Sequence, residues 1–142
     1  VSKALRQATA VLGVQTPGRA LVEITREVNR WVAEQDMDEG LLTLFCRHTS
    51  ASLVIQENAA PEVKTDLLDW LAQIAPEDAH YAHDDEGPDD MPAHIRAMLT
   101  GVQLSVPLIG GQLALGTWQG IYLVEHRRRA HRREVALHLT GA

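Results

Sequence analysis

The chain has 142 residues, 45% of them hydrophobic and 23% charged, which suits an ordinary globular domain with a buried core and excludes a low-complexity or disordered chain. A formal net charge of −6, with three Trp, two Tyr and one Phe, makes nucleic acid an unlikely partner. No apolar run approaches the roughly 20 residues that span a bilayer, so no membrane association is expected.

The stretch VSKALRQATAVLGV has no long apolar segment, so no signal peptide is expected. Cys46 is the only cysteine; it excludes an intrachain disulfide and suits a cytoplasmic protein. No repeat, low-complexity tract or linker divides residues 1–142, so one domain is expected. Ala4 to Val14 reads as a first strand, with Thr16-Pro17-Gly18 as its turn, and Ala20 to Ile24 as a second. Thr25 is placed to cap a helix reaching about Ala33, with Val28, Trp31 and Val32 inward.

Leu41 to Asn58, LLTLFCRHTSASLVIQEN, carries two strands around a polar bend. Leu42, Leu44 and Cys46 share one face, which makes Cys46 a small core residue and not a nucleophile. His48, Thr49, Ser50 and Ser52 then gather an imidazole and three hydroxyls. Polar groups between apolar strands either bond to nearby backbone or face a cavity, because an unpaired buried one costs about 1–3 kcal/mol.

Pro61 opens the next helix, and Val63, Leu67, Trp70, Leu71 and Ile74 mark one face of it before Pro76. A polar loop follows, Glu77 to Pro92. Asp90 is placed to cap a short helix to about Thr100, with Ile95, Met98 and Leu99 as apolar anchors and Gly101 ending it. Val102–Pro107, Leu113–Leu115, Ile121–Glu125 and Glu134–Thr140 read as strands, with a Gly110-Gly111 turn. The order of elements gives an α+β fold with early and late strands sharing a sheet system.

The loop HYAHDDEGPDDMPAH holds His80, His83 and His94 with five carboxylates. Imidazoles with carboxylates suit Zn²⁺ or a similar metal, and carboxylates alone suit Mg²⁺. The spacing matches no standard metal motif, so a solvated acidic loop is the competing reading. Leu115 to Gly120 can expose backbone N–H groups to an anion, or serve as an ordinary turn. The run Arg127 to Arg133 reads as a solvated hairpin tip, with gripping a phosphorylated substrate or pairing with the acidic loop of a neighbouring subunit as alternatives.

Taken together, Gly40-Leu41, His48 to Leu53, Glu57-Asn58, Tyr81-Ala82-His83, Ala93-His94, Gly116 to Gln119 and Glu125-His126-Arg127 resemble the YjbQ family of small bacterial and archaeal proteins. The resemblance runs from about Ser2 to Gly141. It implies a single α+β domain with a curved, mixed or antiparallel, sandwich-like sheet system and about three helices. It further implies a homotrimer with sites near subunit contacts.

Family members are commonly described as secondary thiamine-phosphate synthases, which join hydroxymethylpyrimidine pyrophosphate to thiazole phosphate. Carried to this chain, the resemblance makes His48, His83 and His94 candidates for a metal or phosphate site, with His48 and His94 as catalytic candidates. Thr49, Ser50, Ser52, Asn58, Thr117 and Gln119 become candidates for contacts to a phosphorylated substrate. Where the family tends to a glycine-containing turn after the Glu125 strand, this chain is Arg-rich, so contacts from that turn do not carry over. The same residues would serve phosphoester hydrolysis, or binding of a phosphorylated metabolite or metal without turnover. The sharpest expectation is spatial: His48, His83 and His94 should converge in one pocket.

Overall fold

A computed structural model describes residues 3–142. The strands are β1 (Arg6–Gln15), β2 (Ala20–Glu23), β3 (Gly40–Cys46), β4 (Ala51–Glu57), β5 (Gln103–Ile109), β6 (Gln112–Leu113), β7 (Gln119–Glu125) and β8 (Arg132–Gly141). The helices are α1 (Thr25–Glu34), α2 (Pro61–Ile74) and α3 (Asp90–Thr100). The strands form a larger sheet, β1-β8-β3-β5-β6, and a smaller one, β2-β7-β4. Every described pairing is antiparallel, so the fold is α+β with no mixed sheet.

Alternation within each strand builds the core. Leu42, Leu44 and Cys46 on β3 lie beside Leu139, Leu137 and Val135 on β8, and this layer meets Ala51, Leu53, Ile121 and Leu123 of the smaller sheet. Val28 and Val32 of α1 join it. Each aliphatic side chain enclosed this way stabilises the fold by about 1.5–3 kcal/mol. A second cluster, Leu21, Leu71, Tyr122 and Val124, holds α2 on the outer face of the smaller sheet.

The helices depart from sequence expectation in instructive ways. Thr25 is the first helical residue and not the cap; its hydroxyl donates to Glu23 and accepts the Ile121 N–H at 2.8 Å, pinning α1 to β7. α2 uses Leu67, Leu68 and Leu71 inward, leaving Trp70 and Ile74 about half exposed, because one narrow stripe suffices against a three-stranded sheet. In α3, Met98 and Leu99 do not anchor; they are 75% and 50% exposed. Its buried residues are Asp90, Pro92, Ala93, Arg96 and Ala97, and the two small alanines leave room for the Arg96 guanidinium. Arg96 donates to the carbonyls of Leu71 and Ala75, closing the negative C-terminal end of α2.

The chain crosses between sheets three times at one end of the molecule: after β1, after β3 and after β7. These crossings are bonded together. Thr16 N–H donates to His131 O at 2.8 Å, and His126 N–H to Ser50 O at 3.2 Å. The start of α3 and the acidic loop before it pack against this end through Arg127.

Candidate metal centre and adjoining cavity

Asp90 and His94 are four residues apart on α3 and therefore share a face. The preceding loop folds His83 and Glu86 onto them. His83 Nε2 lies 2.9 Å from Asp90 Oδ2 and 3.1 Å from Glu86 Oε2, and His94 Nε2 lies 3.0 Å from the same Asp90 oxygen. One ligating atom from each of His83, Glu86, Asp90 and His94 falls within 4.8 Å of the others.

Hydrogen bonding fixes how these groups can act. His94 Nδ1 is 2.9 Å from the Thr49 carbonyl, which only accepts, so Nδ1 carries a proton. In the neutral ring, Nε2 then presents a lone pair to an Asp90 oxygen that is also an acceptor. Two lone pairs at 3.0 Å require a proton or a cation with them. An imidazole whose other N–H is held by a backbone carbonyl is how proteins orient a metal ligand. Two imidazoles and two carboxylates fit Zn²⁺ better than Mg²⁺. Zinc bonds of about 2.0–2.2 Å would place neighbouring donors roughly 3.4 Å apart, a few tenths wider than the three imidazole–carboxylate contacts of 2.9, 3.0 and 3.1 Å.

Asp90 is almost enclosed, and its second oxygen accepts from Arg127 Nη1 at 2.7 Å. Burial works against its charge, but His94, His83 and Arg127 together hold its pKa below the ordinary aspartate value. Asp89, bonded by Arg127 and by the Arg128 N–H, is likewise held low against its own burial. Hydrogen bonds to Asp90, then to Glu86, raise the pKa of His83.

Beside this cluster opens a cavity of about 1060 Å³. His48, Thr49, Ser50, His94 and Arg133 line it together with Phe45, Cys46, Ala97, Met98 and Val102. His48 and His94 thus share one hollow, while His83 meets His94 from outside it, with ring centres 5.9 Å apart. His48 does not join the four-residue cluster. Its Nε2 accepts the Glu134 N–H at 2.8 Å, and burial followed by Arg133 lowers its pKa, leaving a neutral ring.

The remaining candidates scatter. Ser52 is fully buried and bonds His126 Nε2 at 2.8 Å, with Thr100 donating to its hydroxyl. Asn58, Thr117 and Gln119 sit at the far end of the β4–β7 pair, six residues along from Ala51 and Glu125, or roughly 20 Å. There the Gly116 N–H donates to the Gln119 side chain and the Gln119 N–H to Gly116 O, so that turn closes on itself.

The arginine run is solvated at Arg128, Arg129 and Arg132, which are exposed, but not at its two ends. Arg127 binds Asp89, Asp90 and the Glu86 carbonyl, Arg128 pairs with Glu77, and Arg133 is buried against Glu125. The acidic loop needs counter-charge, and this run supplies it. Arg127 and Arg133 lie outside the sequence-based site, and Glu86 and Asp90 enter it only as members of the acidic loop. Two signals pointed to them: Asp90 stands one helical turn before His94, and Arg133 alternates in phase with Val135, Leu137 and Leu139, a core-facing position.

Among the described residues no helix is long and apolar enough to cross a membrane. A family model described as UPF0047 protein YjbQ-like matches residues 10–142. A UPF0047 protein of Synechocystis is 49% identical over 137 residues, covering 96% of this chain and 93% of that protein. A crystal structure of an uncharacterized YjbQ/UPF0047 protein from Clostridium acetobutylicum has a TM-score of 0.84 at 33% identity, covering 90% of this chain and 97% of that one. One of a protein of unknown function from Sulfolobus solfataricus has a TM-score of 0.92 at 24% identity, covering 98% and 100%, a likeness of fold alone. With a family model spanning all but the first nine residues and a relative sharing about half its positions, the chain belongs to the YjbQ-like UPF0047 family.

Proposed function

We propose that the chain is a metal-assisted transferase for a phosphorylated small molecule, of the thiamine-phosphate synthase type. One observation carries this reading: His94 belongs at once to the four-ligand cluster and to the wall of a cavity whose other polar groups include His48, Thr49 and Ser50. Such a cavity, largely apolar with a few convergent polar groups, suits a small ring compound with an anionic substituent.

In the proposed reaction the thiazole nitrogen attacks the pyrimidine methylene carbon. The carbon–oxygen bond to pyrophosphate breaks, and pyrophosphate leaves with that electron pair. No protein nucleophile is required, and buried Cys46, its thiol pKa raised chiefly by burial, is not one. When bound, a divalent cation would stabilise charge on the leaving group. The hydroxyls of Thr49 and Ser50 orient the anion, and Phe45 and Met98 offer apolar surface for the ring to pack against. Asn58, Thr117 and Gln119 would reach such a site only from another subunit, in keeping with the homotrimer proposed here. Cytoplasmic residence completes the proposal, supported by a lone, buried cysteine.

The test is formation of thiamine phosphate from the two precursors with Zn²⁺ or Mg²⁺ present. Wild-type protein should form it, and Asp90→Asn with His94→Ala should reduce the rate at least about 100-fold through loss of charge stabilisation at the leaving group. No product from the wild type overturns the reading. One observation favours a second reading, a binder without turnover: His48 Nε2 and His94 Nδ1 are both occupied by backbone, so neither atom is free to move a proton. Ligand binding without any product would select it.

A further inference from the structure

We propose that Arg133 is the specificity-determining residue of the cavity, presenting its Nη1 edge to a phosphoryl group of the bound molecule. This deepens the reading of the cavity as the ligand site and rests on it.

Arg133 is 5% exposed, yet it lines the cavity. Its Nε donates to Glu125 Oε1 at 2.7 Å, and its Nη2 to Glu125 Oε2 at 2.5 Å and to Ser50 Oγ at 2.9 Å. Nη1 has no partner among the described residues. Because no fully enclosed side-chain nitrogen or oxygen lacks a partner there, Nη1 keeps some accessible surface, and the cavity is the open space that Arg133 lines. The nearby wall is Cys46, Ala97, Met98 and Val102, which offers no side-chain oxygen to satisfy a guanidinium. The other lining arginine, Arg47, is exposed and pairs with Glu134.

Two hydroxyl-bearing residues, Thr49 and Ser50, line the same cavity. Ser50 Oγ accepts from Arg133 and keeps its own proton to give, and Thr49 Oγ1 has no partner among the described residues. A guanidinium edge and two hydroxyls match the three terminal oxygens of a phosphate monoester, and charge-assisted donors are the strong ones. Glu125 is the positioning residue. It is fully buried and also accepts from Thr16 Oγ1 at 2.8 Å and the Arg127 N–H at 3.1 Å, so the carboxylate that holds Arg133 is itself fixed on several sides.

The experiment titrates metal-free protein with inorganic phosphate, with acetate as a planar control, following backbone amides and arginine side-chain N–H signals by NMR. Phosphate should move the Arg133 side-chain signals together with the Thr49 and Ser50 amides, and acetate should move them less. The double variant Glu125→Gln/Arg133→Met removes both charges without stranding either. It should bind phosphate about ten-fold or more weakly, with Zn²⁺ affinity within about three-fold of wild type, since neither residue ligates. If Thr49 and Ser50 respond but Arg133 does not, or if the folded double variant binds phosphate normally, this proposal falls and the cavity reading stands. If no cavity residue responds, both fall. Should the double variant not fold, the wild-type titration alone decides.

Discussion

His126 shows how one buried titratable side chain sets a pH limit on the fold. It is 1% exposed with its Nε2 on Ser52, and burial first, then Arg96, lowers its pKa to about 4. An unfolded histidine binds its proton near pH 6.5, so between that pH and about 4 the unfolded chain binds more protons than the folded one. Stability from this residue is therefore present above pH 6.5 and lost as pH falls, at about 1.4 kcal/mol per pH unit. His126→Phe should remove that slope, so that between pH 6.5 and 4.5 wild type loses about 2 kcal/mol more than the variant in urea titrations. Parallel curves would show that His126 is not held neutral. The sequence places Glu125 at the end of a strand, but charge on Glu125 and His126 is decided by partners distant along the chain. Thr16 and Arg133 for Glu125, and Ser52 for His126, are pairings no local pattern contains.

At the scale of elements, strands were the most legible part, because alternation is a local signal. β3 and β4 fall where Leu42-Leu44-Cys46 and Leu53 placed them. Helix faces were less so, since α3 buries two alanines and an arginine while exposing Met98. The acidic loop was read as a metal candidate from composition, but its order depends on Arg127, read as solvated. Arg127 links the β7–β8 crossing to the first turn of α3 and orients Asp90 from behind. Its guanidinium pKa is raised chiefly by the Asp89 hydrogen bonds, so it stays charged across ordinary pH. Arg127→Gln should weaken Zn²⁺ binding by about 10–100-fold, the usual effect of losing a residue that orients a ligand. Limited proteolysis should then cut within residues 77–89 sooner than in wild type. Unchanged zinc affinity by competition with a chelating dye would show that Asp90 needs no such support.

For the whole molecule, the two sheets differ in what covers them. α2 lies on the outer face of the smaller sheet, while among the described residues no helix covers the exposed side chains on the outer face of the larger one. There Val11, Ala136 and Phe45 form a row across β1, β8 and β3, and Thr9, His138 and Thr43 form the next. Val11 is 53% and Phe45 47% exposed, and a shallow groove runs between these rows. Phe45 also lines the large cavity, so anything seated on this face would border the ligand site. If the proposed homotrimer uses this face, a charge in the apolar row must be desolvated on association, at a cost that several kcal/mol of apolar contact cannot offset. Val11→Glu should therefore give monomers by light scattering at micromolar concentration, while circular dichroism stays that of wild type, because Val11 points away from the core. Wild-type trimers that survive Val11→Glu would move the subunit contact elsewhere, and a monomeric wild type would leave Asn58, Thr117 and Gln119 with no route to the cavity.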